Sequence, residues 1–345
     1  MLPTHYTRIV LAERPKGPIN ANTFRKEVVP FDLAAHEMDI LVKTLYLSLD
    51  PTQRTWINDV RGYMVPVQIG EVMRSSGIGV VLQAGKDSRF RVGDVVFGML
   101  GWREYVVLNS HDPSLEKVKV PPGAQVLDYL GPIGMTGLTA YFGLTDVGKI
   151  KAGETLVVSG AAGATGSIVC QIGKRIGAKV IAIAGSKEKC DWLERELGVD
   201  TAINYKSPTF RKDFIDTVGY LDVYFDNVGG AILDLALARL KRNARIVLCG
   251  AIADYNTRPQ GIRNYSALIA QRATMQGFLI LDYAKRYEDA REILGKWLTE
   301  GSLKRQFHVI EGIDKCPEAL PLLFSGGNTG KLVVKVSDLP TKAML

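Results

Sequence analysis

The residues with the most chemical content are the glycines of Gly160-Ala161-Ala162-Gly163-Ala164-Thr165-Gly166. Their G-x-x-G-x-x-G spacing follows an apolar run, Thr155-Leu156-Val157-Val158-Ser159, and precedes a segment in which Ile168, Val169, Ile172 and Ile176 recur at helical spacing. A buried strand therefore feeds a tight turn and a helix. Glycine lets a backbone approach a pyrophosphate, and the helix N-terminus offers free N–H groups and a partial positive charge to it. A glycine triplet alone would fit any strand-to-helix turn; in this context it reads as a dinucleotide site. Gly177 should end the helix, and Lys179 to Ala184 should form the next strand, completing a right-handed βαβ unit.

The end of that second strand discriminates between dinucleotides. An Asp or Glu there holds the adenosine ribose hydroxyls of NAD and repels a 2′-phosphate. This chain has Gly185-Ser186-Lys187-Glu188-Lys189 instead. Ser186 reads as a helix N-cap, and Lys189 stands where a capping box would carry Glu or Gln. A lysine in a first helical turn opposes the helix dipole, and a bound phosphate would reverse that penalty. The reading is NADP, with Ser186 and Lys189 at the phosphate; a solvated surface lysine is the plainer alternative.

These residues must be positioned by a larger frame. The chain has 345 residues, long enough for two domains, and with 46% hydrophobic and 23% charged residues it can bury sizeable cores. The net charge of +7 is spread among Asp and Glu with no basic run or interleaved aromatics, which argues against nucleic acid as a partner. No stretch reaches the roughly 20 apolar residues of a membrane span. Cys170, Cys190, Cys249 and Cys316 are far apart and form no disulfide framework. The end Lys342-Ala343-Met344-Leu345 matches no address signal, so a reducing, cytoplasmic setting is the expectation.

From Arg8 to about Val120, short runs at Ile40–Leu45, Gly77–Leu82, Asp94–Gly98 and Glu104–Val107 predict a compact β-rich barrel or sandwich without long helices. After Pro121-Pro122-Gly123 comes a helical stretch, Leu127 to Gly148, and then strands alternate with helices: Gly219–Asn227, Ala244–Gly250 (with Cys249 inside the strand) and Met275–Ile280. That alternation predicts a doubly wound parallel α/β sheet. A last strand, Leu332 to Val336, is expected to return to the first domain, giving domains of 1–125 completed by 305–345, and 126–304.

Further residues are specific enough to carry a likeness. Gly70-Glu71-Val72-Met73, Ser76 to Val81, Gly134 to Gly143, Asn204-Tyr205-Lys206, Phe225 to Gly230, Cys249 to Ile252 and Asn328 to Lys331 together resemble the medium-chain dehydrogenase/reductase superfamily. Within it they resemble the zinc-independent branch of prostaglandin, alkenal and curcumin reductases, over nearly the whole length. Zinc relatives carry a Gly-His-Glu and closely spaced cysteines, whereas here Glu71 is followed by Val72 and His5, His36, His111 and His308 stand singly. No metal site is therefore assigned.

The resemblance implies a Rossmann domain, a GroES-like barrel domain, a homodimer, and NADPH-dependent reduction of the carbon–carbon double bond of an enal or enone. It places the pyrophosphate on Gly163-Ala164-Thr165-Gly166 and the 2′-phosphate end on Lys189 and Tyr205. It also assigns to the cofactor Asn227, Cys249, Gly250, Ala251, Ile252, Tyr255, Phe278, Leu279, Ile280 and Asn328. Asn227 and Asn328 could equally be turn residues, and Tyr205 and Phe278 core aromatics. Charge gathering on the substrate oxygen needs a donor: Tyr255, a cofactor ribose hydroxyl, or Tyr63 from the barrel side. A quinone reductase, an allylic alcohol dehydrogenase and a non-catalytic NADP-binding sensor or structural protein are the competing readings.

Overall fold

A computed structural model describes residues 2–339. Residues 340–345, the end of the 305–345 segment with Lys342-Ala343-Met344-Leu345, lie outside the described residues, as does Met1.

The strand before the glycine turn, Thr155–Val158, is the third of six parallel strands in spatial order Thr201–Asn204, Lys179–Ala184, Thr155–Val158, Leu221–Asp226, Leu240–Leu248, Thr274–Gly277. Its apolar run has no polar alternation because both faces are covered. Leu156 and Val158 pack with Ile168 and Ile172 of the helix Ala164–Ile176, while Val157 packs on the other side with Phe214 and Leu233. The strand order reverses between Thr155–Val158 and Leu221–Asp226, which opens a crevice at the carboxyl ends of these two strands. Both glycine turn and candidate loops project from that end.

The second sheet is mixed, with seven strands. Asp39–Ser48 pairs antiparallel with Gly77–Ala84 and with Tyr105–Asn109; Gly77–Ala84 continues through Val95–Gly98 to Glu116–Lys117. The strand Lys331–Lys335 pairs antiparallel with Asp39–Ser48 through Val333 and Ser48, and parallel with Phe307–Glu311. Lys331 secures that return: its buried Nζ donates to Leu49 O at 2.9 Å and to Asp50 Oδ1 at 2.7 Å. His5–Leu11 and Phe24–Pro30 form a separate antiparallel pair.

Several strand ends shift by a few residues from expectation, and two of the differences bear on the site. The strand predicted to hold Cys249 ends at Leu248, because the amides of Cys249 and Gly250 both turn to Asp226 O, at 2.9 and 3.1 Å. The strand predicted to reach Ile280 ends at Gly277, where its partner ends in register at Leu248, and Ile280–Arg286 winds as a 3-10 helix.

Candidate active site

The glycine turn is compact for a steric reason. A Cβ on Gly166 would stand 2.4 Å from Gly160 O and 2.8 Å from Ala161 Cα, both fixed backbone, so only glycine lets the helix sit this tightly on the strand end. Gly163 is the N-cap of Ala164–Ile176 and has no side chain to cap it, which leaves the first-turn amides of Ala164, Thr165 and Gly166 for an outside acceptor. Gly177 ends the helix at φ +92°. The returning chain passes beside the turn: Gly163 forms a parallel bridge with Gly330, whose carbonyl accepts 2.9 Å from Asn328 Nδ2.

Beyond the second strand, Ser186 caps the helix Lys187–Arg195, its Oγ accepting from Lys189 N at 3.2 Å. Lys189 Nζ donates to Gly326 O at 2.8 Å, so this lysine also meets the returning chain. Desolvation, then the nearby Lys206, depress its pKa below the usual lysine value. Lys206 Nζ lies 5.9 Å from the ring centroid of Tyr205, and that half-exposed ring packs against Gly185. Neither lysine has a carboxylate within 4 Å among the described residues. Two neighbouring ammonium groups without a counter-ion, at the end of the second strand, fit a phosphate. Lys206 escaped the sequence reading although Asn204-Tyr205-Lys206 was in view; a second cation next to Tyr205 was the available signal.

The loops after the fourth and fifth strands pack against each other on one side of the crevice. Asn227 N donates to Ser159 Oγ at 2.9 Å and its Nδ2 to Ser159 O at 2.7 Å, so its side chain braces the first strand end. Beneath it, fully buried Asp226 accepts from Ser159 Oγ at 2.7 Å, Tyr224 Oη at 3.0 Å, and the amides of Val228 and Gly229 at 3.0–3.1 Å. Burial nevertheless raises this carboxyl above its usual range, against the pull of those donors. Sequence alone assigns Asp226 no role of its own, although it lies in the predicted strand Gly219–Asn227 and in the run Phe225 to Gly230; its burial is what marks it.

Gly229, at φ +71°, lets the second loop approach: a Cβ there would meet Ala251 Cβ at 3.3 Å. Ile252–Asp254 forms a 3-10 turn, with Ala253 N on Val228 O at 3.0 Å. Tyr255 folds back so that its hydroxyl accepts from Ala251 N at 3.2 Å, close to Gly250. That phenol is pushed above its ordinary pKa chiefly by burial, with Cys249, Tyr63 and Asp226 adding to it and the Ala251 amide opposing. Burial also holds the Cys249 thiol at about 12, so it stays protonated.

From the barrel side, Tyr63 Oη is 2.6 Å from Thr52 Oγ1 and accepts from Trp56 Nε1 at 2.9 Å, both on the short helical turn around Gln53–Trp56. Phe278 packs against Gly143, which also borders Phe225, and stands edge-on to Tyr283 with centroids 6.4 Å apart; Leu279 is part exposed, and Ile280 O accepts from Tyr287 Oη at 2.9 Å. The structure thus brings together the glycine turn with Asn328, Ser186 and Lys189 with Tyr205, and Asn227 with Gly250, Ala251, Ile252 and Tyr255. It records no hydrogen bond from Phe278, Leu279 or Ile280 to these groups.

Comparison with known proteins agrees with this layout. Residues 7–118 match the family model described as the N-terminal domain of oxidoreductase, and residues 164–296 the one described as zinc-binding dehydrogenase. Among the described residues no three His, Cys, Asp or Glu side chains gather into a metal-holding group, so the donor set does not fit the zinc of that second description. A 2-alkenal reductase (NADP(+)-dependent) of Nicotiana tabacum is 39% identical over 87% of this chain and 88% of its own length. The NADPH-dependent curcumin reductase of Escherichia coli (strain K12) is 35% identical over 96% of each. The crystal structure of CurA from Vibrio vulnificus in complex with NADPH superposes with a TM-score of 0.89 at 36% identity, covering 96% of this chain and 99% of that one. With its glycine turn, its reversal of strand order and relatives of this identity along almost its full length, the chain belongs to the medium-chain dehydrogenase/reductase family, in the zinc-independent branch of the alkenal, curcumin and prostaglandin reductases.

Proposed function

We propose that the protein is an NADPH-dependent reductase of the carbon–carbon double bond of α,β-unsaturated aldehydes or ketones. NADPH, when bound, supplies a hydride, which this reading directs to the β-carbon of the substrate. Gly163, Ala164, Thr165 and Gly166 would hold the pyrophosphate on free helix amides, with Asn328 bracing the turn from the returning chain. Ser186, Lys189 and Tyr205, joined by Lys206, would hold the 2′-phosphate. Asn227 and the run Cys249 to Ile252 would shape the nicotinamide end, with Phe278, Leu279 and Ile280 along its far wall.

The observation that carries the chemistry is the orientation of Tyr255. Its oxygen accepts from Ala251 N–H, so its own proton is left to donate elsewhere, and burial keeps the phenol protonated. A protonated, preoriented donor is what an oxygen gaining negative charge requires. The Tyr63 hydroxyl already accepts from Trp56 and shares a hydrogen bond with Thr52, which favours a role in lining the pocket. The relatives reported above, an alkenal and a curcumin reductase, support the substrate class.

The test is an isotope experiment. With NADPH carrying deuterium on carbon 4, the saturated product should bear the label on its β-carbon. Label on a carbinol carbon would make the protein a carbonyl reductase, and NADPH consumption with quinones alone a quinone reductase. No consumption with any of them would leave a binding protein. A cytoplasmic homodimer belongs to the same reading; light scattering should give twice the 37.8 kDa chain mass, and cell fractionation the soluble fraction.

A further inference from the structure

Arg54 lies on the barrel side, 3% exposed, and has no carboxylate within ion-pair distance among the described residues. Burial lowers its pKa, though a guanidinium remains charged. A buried cation without a counter-ion is costly unless every donor is engaged. Here the fork is spread over three separate segments. Nη2 donates to Pro15 O at 3.2 Å and Gly17 O at 2.8 Å, Nη1 to Asn58 Oδ1 at 2.6 Å, and Nε to Asn256 Oδ1 at 2.9 Å.

The last of these bonds crosses 202 positions of sequence to the residue that follows Tyr255. Arginine only donates, so Asn256 must turn its oxygen to it, which fixes the residue that follows Tyr255 in the chain. On its other side the loop is anchored by Ala253 N on Val228 O at 3.0 Å, but the amides nearest the phenol's own backbone make only long bonds: Ile252 N reaches Asn227 O at 3.4 Å and Tyr255 N reaches Ile252 O at 3.5 Å, both at the limit of useful hydrogen bonds. The charge-assisted bond from Arg54 is shorter and stronger than either. The same short turn carries Thr52 and Trp56, which hold Tyr63.

We propose that Arg54 is a positioning residue for this reaction: acting through Asn256, it sets the Tyr255 loop against the barrel turn that also orients Tyr63. The proposal rests on Tyr255 being the donor described under the proposed function. A displaced donor loses rate out of proportion to the displacement, of the order of 10²-fold for 1 Å.

The test removes only the acceptor. Asn256 is half-buried, and Asn256→Ala leaves Arg54 its bonds to residues 15, 17 and 58. With NADPH and a small enone, kcat should fall about 10- to 100-fold. The Kd for NADPH should stay within about twofold, and amide exchange over residues 251–257 should rise. Asn256→Asp keeps an acceptor and should restore kcat to within about threefold of wild type, whereas a merely structural gap would not be rescued. Adding Asn256→Ala to Tyr255→Phe should cost little more than Tyr255→Phe alone. Unchanged exchange over 251–257, equal losses for the Ala and Asp variants, or full additivity with Tyr255→Phe would overturn the proposal. If Tyr255→Phe by itself leaves kcat intact, the donor reading fails, and the exchange data alone decide whether Arg54 holds the loop.

Discussion

Replacing Lys189 with alanine tests the link between the acid-free end of the second strand and the choice of NADPH over NADH. The side chain does two things in the structure: its ammonium lies beside Lys206, and it donates to Gly326 O at 2.8 Å. Losing the Gly326 contact loosens the returning chain whichever cofactor is bound, so it weakens NADPH and NADH equally. Losing the ammonium removes one charge-assisted hydrogen bond to a 2′-phosphate, about 1–3 kcal/mol, and touches NADPH only. The Kd ratio of NADH to NADPH should therefore fall by about 5- to 150-fold, toward the lower part of that range because Lys206 remains. The assay is fluorescence titration of both cofactors against wild type and variant. The pH dependence follows from the lowered lysine pKa. As pH rises through that depressed value the free protein loses the charge, so the NADPH Kd should climb at alkaline pH below the ordinary lysine range while NADH stays flat. A ratio unchanged by the substitution would refute the phosphate assignment, whatever happened to the two affinities separately.

In Asp226→Asn the amide oxygen can take the Oδ1 position that all four donors share, but its NH2 then stands against the Gly229 amide that now also reaches Oδ2, so stability at neutral pH should drop by about 1–3 kcal/mol in urea titration. Because burial raises the native carboxyl pKa, the wild-type advantage from this group should be greatest below the ordinary Asp value and decline as pH rises through it; an advantage that grows with pH would mean the donors outweigh burial. Gly166→Ala should cost about 1–3 kcal/mol, since the Cβ would meet backbone at 2.4 Å. Measured by thermal melting, a loss below a few tenths of a kcal/mol would show that the turn can shift.

The parts legible in the sequence were those whose physics is local. The turn from Gly160 to Gly166, the Ser186 cap and the Gly177 stop are written in consecutive residues, and the structure has all three. The four-residue strand Thr201–Asn204 was invisible as a separate element because it is too short to show a period. Phe307–Glu311 and the pair His5–Leu11 with Phe24–Pro30 mix charged and apolar residues, as edge positions do, and gave no clear alternation. Arg54 and Asp226 were missed for another reason: what marks them is burial or a neighbour, and for Arg54 that neighbour is 202 residues away. No window of sequence contains that information.

The pairing of Lys331–Lys335 with Asp39–Ser48 sets an order of events during synthesis. All six parallel strands lie between Thr155 and Gly277, so that sheet can close as soon as this continuous stretch has left the ribosome. The mixed sheet cannot: Asp39–Ser48 waits for Val333, and Asp50 waits for Lys331, 281 residues later. Until then its edge is open to solvent and to other chains, the circumstance in which strands pair wrongly. Closing so long a loop is slow even when the final contacts are strong. The nascent protein would therefore carry a finished nucleotide fold beside an unfinished barrel, and chaperone dependence in translation should concentrate in the first third of the chain.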